Sequence, residues 1–253
     1  MKESRAIVWC RDLTRRFGDI TAVHRLSFEV TQGQICALFG PNGSGKSTTL
    51  KMFTGLLPQS GGEMEVCGFD PSRHPADLKR RIGVLPEDLG LFDDLTVEEH
   101  LRLVGDVYGL DKQVAHSRTE QLLSVLGLEE GRDTFATACS QGMRKKTSFA
   151  MALLHNPQVL FLDEPFEAID PVTSKAMCHL LQMAAQRGVT VLLTSHVLPA
   201  VEQIATQWIM IRKGEIVWNA PASDGLTTLQ QHYFDLVETP SLEDVKWLGS
   251  SRP

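Results

Sequence analysis

The chain has 253 residues, of which 42% are hydrophobic and 22% are charged, and its formal net charge is −6. This length predicts one large domain or two closely joined domains with an ordinary hydrophobic core. Because the net charge of the chain is negative, the chain has no overall positive potential to attract a nucleic-acid backbone. No nucleic-acid partner is therefore expected. Because no apolar run reaches the roughly 18 residues of a spanning helix, and no signal-peptide core is present, we expect neither a membrane span nor secretion.

The five cysteines are scattered, and they form neither a Cys-x-x-Cys pair nor a zinc-ligand spacing with the histidines. Isolated cysteines in odd number are typical of reduced thiols in a cytosolic protein. We expect four of them to be buried, namely Cys10, Cys36, Cys67 and Cys178. Cys139 falls within a motif considered below.

Short apolar runs separated by turn residues occupy the first third of the chain. They predict strands at 7–10, 26–30, 35–39 and 64–67, several of them antiparallel. A glycine-rich turn follows the third run, and residues 46–56 then have helix-compatible composition. This segment therefore predicts the order strand, loop, helix.

Apolar residues recur at three- and four-residue steps from Thr96 to about residue 154, which predicts helix. The last third alternates a buried strand at 159–162, a helix at 172–186 and a second buried strand at 189–194, which is typical of a parallel sheet. Asp170 is the expected N-cap of that helix, with Pro171 in its first position and Gly188 beyond its end. After Asn219 the pattern weakens, and 238–253 reads as an accessory tail.

The sequence after the third predicted strand fits G-x-x-x-x-G-K-S/T. Its residues are Gly40, Pro41, Asn42, Gly43, Ser44, Gly45, Lys46, Ser47 and Thr48. Glycines let successive N–H groups surround phosphate oxygens, and a helix N-terminus favours negative charge. Lys46 can reach the terminal phosphates and Ser47 offers a hydroxyl to Mg²⁺. The strand–helix context predicts a nucleotide site rather than a glycine turn with a surface lysine.

Residues 159–165 read Val-Leu-Phe-Leu-Asp-Glu-Pro, so a buried strand ends in two acids. Such acids are costly unless they face a cation or a reacting group. Asp163 suits magnesium and Glu164 suits a general base. Alone, the pair could be a turn after a strand, but a nucleotide hydrolase needs both groups beside its phosphate loop.

These motifs resemble those of the ATP-binding cassette (ABC) ATPases, the motor subunits of ABC transporters, over roughly residues 6–219. Residues 193–196 are similar to the switch-histidine loop of the family, 167–170 to its D-loop and 139–143 to its signature. The resemblance implies that His196 senses the γ-phosphate and that the D-loop residue Asp170 belongs to the nucleotide site. It also implies that Ser140 and Gly142 contact ATP bound by another subunit.

The signature departs from the usual Leu-Ser-Gly-Gly-Gln, since Cys139, Gln141 and Met143 stand in the first, third and fifth places. Ser140 and Gly142 are kept, so the phosphate contacts are expected to survive. Met143, however, cannot donate the hydrogen bond of a glutamine to a ribose.

Residues 82–87 match the Q-loop segment of the family, with Glu87 in place of glutamine. A carboxylate can still touch magnesium or its water, although it adds a negative charge. Both departures resemble exporter-type ATPases whose permease is a separate polypeptide.

Three further features have two interpretations each. Phe17 lies where the family places an aromatic that stacks on adenine, although a lone Phe is more often a core residue. The basic runs 79–81 and 144–146 are typical of solvated faces, with contact to acidic lipid or permease segments as the alternative.

The resemblance implies an α/β fold with a RecA-like P-loop core at 1–87 and 155–222, including an antiparallel β-subdomain. It implies a helical insert at 88–154 and a C-terminal tail at 223–253. Two ATPase subunits, as a homodimer or with a paralogue, would close head to tail around two ATP with Mg²⁺. An integral-membrane permease would dock on the insert, placing the chain on the cytoplasmic face of the membrane, with export favoured over import.

Two rival functions follow from the same P-loop. A soluble ABC ATPase of DNA repair or translation would act on nucleic acid or ribosomes, but such proteins usually carry long coiled coils or two cassettes, and this acidic chain has one P-loop. A GTPase switch would need an Asn-Lys-x-Asp guanine motif, which the sequence lacks.

Overall fold

The computed structural model describes residues 6–196 and 198–222. The chain divides into two compact units, Met1–Ser223 and Asp224–Pro253. The second unit and the whole of the predicted tail, 223–253, lie outside the described residues.

The described part of the first unit contains nine strands and seven helices. The strands are β1 (Ala6–Phe17), β2 (Ile20–Thr31), β3 (Ile35–Phe39), β4 (Gly61–Val66), β5 (Ile82–Leu85), β6 (Val159–Leu162), β7 (Thr190–Thr194), β8 (Gln207–Arg212) and β9 (Glu215–Pro221). The helices are α1 (Lys46–Phe53), α2 (Pro75–Lys79), α3 (Val97–Val107), α4 (Lys112–Val125), α5 (Gln141–Leu154), α6 (Pro171–Gln186) and α7 (Leu198–Ile204), with a 3₁₀ turn at Ala136–Ala138.

An antiparallel sheet has the order β2-β1-β4. Its strands β1 and β2 are longer than predicted, because the Gly18-Asp19 turn joins them directly and lets them pair to their ends. Gly18 has φ 56°, a conformation that suits glycine in a two-residue turn. Burial alternates along the second half of β2, so one face of this sheet meets the core.

The second sheet has the order β5-β6-β7-β3-β8-β9. Its first five strands are parallel, as predicted for the buried runs in β6 and β7, and β9 pairs antiparallel with β8. The apolar pattern alone misses β5, β8 and β9. The strand β5 has only four residues, too few to show a period.

The helical pattern from Thr96 onward resolves into α3, α4 and α5. A capping box starts α3, since Thr96 accepts the Glu99 N–H and Glu99 accepts the Thr96 N–H. Gly127, at φ 60°, follows the end of α4, and the chain then runs irregularly to the 3₁₀ turn. Asp170 caps α6 through the Thr173 N–H at 2.9 Å, with Pro171 in first position, as predicted.

Three phenylalanines join the two sheets in one core. Phe53 of α1 lies edge-on to Phe28 of β2, with ring centroids 5.7 Å apart. It also stacks on Phe161 of β6 at 6.1 Å. Because α1 directly follows the glycine-rich loop, this packing fixes the loop above the ends of the parallel strands.

The cysteines are all free: Cys10, Cys36 and Cys178 are buried as expected, whereas Cys67 is only partly covered. Burial raises the pKa of the Cys67 thiol to about 11, so it is not a reactive thiolate near neutral pH. Among the described residues, no helix combines the length and apolarity that crossing a bilayer requires.

Candidate functional site

The predicted site residues gather at the carboxyl ends of three adjacent parallel strands. The glycine-rich loop follows β3, the acid pair follows β6, and His196 follows β7. In open α/β sheets, ligands bind at this edge. The loops enclose a cleft of about 510 Å³, lined by Ala22, Asn42, Gly43, Ser44, Gly45, Lys46, Ser47, Thr48, Glu87, Lys145, Asp163, Glu164, Glu167 and His196.

The loop after β3 requires glycine at both ends. Gly45 has φ 107°, and a Cβ there would lie 2.5 Å from the Ala22 carbonyl oxygen. Gly40, at φ 146°, has no room for a Cβ beside the Ile211 carbonyl. The loop thus runs close to neighbouring backbone and opens directly into α1, an arrangement that aims backbone N–H groups at an anion.

Lys46 is 6% exposed and folds back over this loop. Its Nζ donates to the carbonyl oxygens of Gly40 at 2.8 Å and Pro41 at 3.1 Å. Burial lowers the pKa of the Lys46 ammonium, while the negative charges of Glu164 and Asp163 act in the opposite direction. The ammonium is therefore held inside the cleft, beside both acids.

Asp163 meets two hydroxyl groups. Its Oδ1 accepts hydrogen bonds from Ser47 Oγ at 3.1 Å and from Thr194 Oγ1 at 2.6 Å. The sequence motifs assign no role to Thr194, although this residue lies within 193–196, the segment similar to the switch-histidine loop. This hydroxyl orients the carboxylate toward Ser47.

The oxygens of Ser47 and Asp163 fit a magnesium ion. The described residues contain no group of three or more His, Cys, Asp or Glu side chains placed to hold a metal. Mg²⁺ does not need one, because it is usually bound through one or two carboxylates together with substrate phosphates and water. A carboxylate and a hydroxyl 3.1 Å apart beside a phosphate loop supply that donor set.

Glu164 is fixed on both its backbone and its side chain. It has φ 47°, in the left-handed region, and its N–H donates to Thr194 Oγ1 at 3.0 Å. Its Oε2 accepts the His196 N–H at 3.0 Å and lies 2.9 Å from His196 Nδ1. The carboxylate therefore faces the cleft in a defined orientation beside the histidine.

Glu87 lines the same cleft but contacts a cation of its own chain. Its Oε2 lies 3.2 Å from Lys51 Nζ, on the exposed side of α1. Glu87 carries a negative charge where the family usually has a neutral glutamine, and this charge is paired with Lys51, five residues after the start of that helix.

Phe17 is 45% exposed at the end of β1, so it is not a core residue. The Arg15 guanidinium lies 4.5 Å from the centroid of its ring. Phe17 is not among the residues that line the described cleft.

The signature residues also lie outside that lining. Ser140 is exposed and caps α5, its Oγ accepting the Met143 N–H at 3.2 Å. A Cβ on Gly131 would lie 2.5 Å from Met143 Cε, which shows that the methionine packs against its own chain. Gly142 is partly exposed, so the start of α5 presents backbone N–H groups outward. Asp170 caps α6, and hydrogen bonds from Thr173 lower the pKa of its carboxyl.

One basic run is not the solvated face that its composition predicts. Lys79, Arg80 and Arg81 are exposed, but Lys145 is only 5% exposed. Its Nζ donates to the Glu164 carbonyl oxygen at 2.8 Å. The prediction for 144–146 is wrong at this position because α5 turns Lys145 toward the end of β6.

The fold and the cleft define a P-loop protein that binds nucleoside triphosphates. A family model described as ABC transporter matches residues 23–167. The similar proteins include "ABC transporter ATP-binding protein NatA" of Bacillus subtilis (strain 168), 34% identical over 82% of this chain and 86% of that protein. "Bacitracin transport ATP-binding protein BcrA" of Bacillus licheniformis is 32% identical over 85% of this chain and 70% of that protein.

Solved structures agree with this assignment. A chain described as the ATP binding subunit of an ABC transporter is 29% identical, with a TM-score of 0.81 over 86% of this chain and 91% of that one. A dimeric cassette bound to ADP and Pi has a TM-score of 0.78 at 23% identity, over 85% of this chain and 98% of that one, and shows the fold alone. The chain belongs to the ABC transporter family and is an ABC ATPase, which confirms the family and the fold class inferred from the sequence motifs.

Proposed function

We propose that this chain is the motor subunit of an ABC transporter: it binds and hydrolyses ATP, closes with a second ATPase subunit and drives a separate membrane permease. One observation carries the proposal. Lys46, Glu164 and His196 meet in one cleft at the ends of three adjacent parallel strands.

The cleft residues divide the chemistry of phosphate transfer among them. The loop 40–48 cradles the phosphates and Lys46 neutralises the terminal ones. Glu164 orients the attacking water and accepts its proton, and His196 contacts the γ-phosphate beside it. Ser47 and Asp163 would hold Mg²⁺, with Glu87 touching it or its water; when bound, the ion offsets charge on the phosphates.

The signature end of α5 supports a second ATPase subunit. Ser140 and Gly142 do not reach the cleft of their own chain, yet they form an outward-facing helix N-terminus suited to an anion. We place them against ATP held by the other subunit, either a second copy or a paralogue. Phe17 would stack on the adenine of ATP, and Asp170 would belong to the nucleotide site.

A mostly apolar groove of about 300 Å³ supports docking of a permease. It lies between β5, α3 and α5, next to the segment that carries Glu87, and its lining includes Val84, Leu89 and Met151. In the proposed division, the core comprises 1–87 and 155–222, the helical subdomain 88–154 and the tail 223–253. Docking holds the chain on the cytoplasmic face of the membrane.

Two similar proteins carry export or resistance in their names, a "Nod factor export ATP-binding protein I" of Burkholderia lata and a "Linearmycin resistance ATP-binding protein LnrL" of Bacillus subtilis (strain 168). They are 36% and 33% identical over 83% and 81% of this chain, and over 70% and 66% of their own lengths. We therefore favour export.

The test is purification of the tagged chain from membranes with its bound partners, followed by an ATPase assay. We expect Mg²⁺-dependent ATP hydrolysis and co-purification of a hydrophobic permease. ATPase activity that DNA or ribosomes stimulate, without any membrane partner, would instead favour the nucleic-acid alternative.

A further inference from the structure

Lys145 is a buried cation that the proposed chemistry does not use. It is 5% exposed and lies on the first half of α5, five residues after Ser140. A buried ammonium is costly unless it is hydrogen-bonded or paired, so its position must be compensated by nearby acceptors.

Both acceptors of this ammonium belong to the segment after β6. Nζ donates to the Glu164 carbonyl oxygen at 2.8 Å and lies 3.5 Å from Glu167 Oε2. The carbonyl bond is the shorter one, and Glu167 is 49% exposed, so the bond to Glu164 dominates.

The Glu164 backbone needs such support. A non-glycine residue in the left-handed region is strained and persists only where its surroundings hold it. Thr194 Oγ1 accepts the N–H of Glu164, and Lys145 Nζ binds its carbonyl oxygen. The two contacts hold the residue from opposite sides of its Cα.

A second contact ties the same helix to the same segment. A Cβ on Gly142 would lie 3.2 Å from the Ala168 carbonyl oxygen, so the start of α5 packs closely against the chain four residues after Glu164. The helix that begins with the signature therefore touches the segment 164–168 at two places within one chain.

We propose that Lys145 is a positioning residue for Glu164: its bond to the carbonyl oxygen holds the backbone that aims the carboxylate at the attacking water. The lysine thereby links the catalytic acid of its own subunit to the signature helix. This inference rests on the proposed role of Glu164 as the general base.

The test compares Lys145→Met, Lys145→Arg and the control Lys112→Met in the purified full chain. Lys112 is an exposed lysine at the start of α4 and is remote from the cleft lining. We expect Lys145→Met to lower kcat about 10- to 100-fold, the scale of a misplaced catalytic group, with KM and the affinity for a fluorescent ATP analogue nearly unchanged. Lys145→Arg keeps a donor and should recover most of the loss, and Lys112→Met should match the wild type.

A double-mutant cycle shows whether Lys145 acts through Glu164. If it does, adding Lys145→Met to Glu164→Gln should lower kcat much less than it does in the wild type. An equal loss in both backgrounds, or a Lys145→Met kcat close to that of the wild type, would overturn the proposal.

The double-mutant cycle can be completed even if the Lys145→Met chain does not fold. If thermal unfolding shows that Lys145→Met is not folded, Lys145→Ala, which also removes the hydrogen-bond donor, takes its place under the same criteria. A Glu164→Gln chain that hydrolyses ATP at the wild-type rate would instead remove the proposed base, a failure of the proposed function that is separate from that of Lys145.

Discussion

Nδ1 of His196 lies 2.9 Å from Oε2 of Glu164, and the same oxygen accepts the His196 backbone N–H at 3.0 Å. His196 therefore holds Oε2 of Glu164 through two nitrogen atoms. Oε1 of Glu164 takes no part in these two contacts. The acid after β6 and the histidine after β7 form one unit, because those strands are neighbours in the sheet.

Glu164→Gln should retain ATP binding while slowing hydrolysis, because the amide keeps the shape of the carboxylate but cannot accept a proton from water. Loss of a general base typically costs ~10²–10⁴-fold in rate, or about 3–5 kcal/mol of barrier. The measurements are kcat and the equilibrium affinity for ATP. The control is Glu63→Gln, which changes an exposed glutamate on β4. Near-normal turnover would remove Glu164 from the mechanism.

Lys46→Ala should weaken nucleotide binding itself. The ammonium lies within the phosphate loop, and a charge-assisted hydrogen bond contributes about 1.5–3 kcal/mol. Titration with a fluorescent ATP analogue should therefore show an affinity lower by roughly one to two orders of magnitude. Lys112→Ala is the control, and unchanged affinity in Lys46→Ala would contradict the assignment of the loop.

Glu87→Gln restores the usual residue of the family and should leave Mg²⁺-dependent ATP binding and hydrolysis measurable. It breaks the ion pair with Lys51, but both side chains are largely exposed, so unfolding stability should change by less than ~1 kcal/mol. The larger effect is expected in permease-coupled turnover, measured in the reconstituted complex. Loss of Mg²⁺-dependent binding would show that Glu87 is an essential ligand.

The short motifs predict much of the site, because phosphate chemistry fixes residue types at fixed spacing. Lys46, Ser47, Asp163, Glu164 and His196 all line or border one cleft, as their order along alternating strands and helices implies. Asp170 is also the helix cap that its sequence context predicts.

The features that the sequence does not predict are set by how the helices and strands are oriented and packed against one another. The burial of Lys145 follows from the orientation of α5 against β6, which no local charge pattern encodes. The bond from Thr194 to Asp163 joins residues 31 positions apart and needs the register of two strands. The strands β8 and β9 are not among the predicted strands, although the buried apolar run 208–211 of β8 is as long as that of β6.

Gly83→Ala should destabilise the chain. A Cβ at this position of β5 would overlap the Ala152 carbonyl of α5 and lie 2.8 Å from Leu160 Cδ2. Overpacking of this kind costs about 1–3 kcal/mol, measurable by urea unfolding. Gly61→Ala is the matched control on β4, because its nearest neighbour, Thr14 Cβ, would lie 4.0 Å away. Equal stability of the two variants would contradict the close packing of α5 on β5.

The central claim is that ATP is held between two chains, with Lys46 from one and Ser140 from the other. A mixed dimer of a Lys46→Ala chain and a Ser140→Arg chain places both lesions at one site and leaves the opposite site intact, whereas each mutant homodimer has two damaged sites. The measurement is nucleotide retained by the mixed dimer, isolated through two different affinity tags and passed rapidly through gel filtration. We expect about one nucleotide per mixed dimer and almost none in either homodimer. Retention in the mixed dimer no better than in the homodimers would mean that Ser140 does not complete the site of a second subunit.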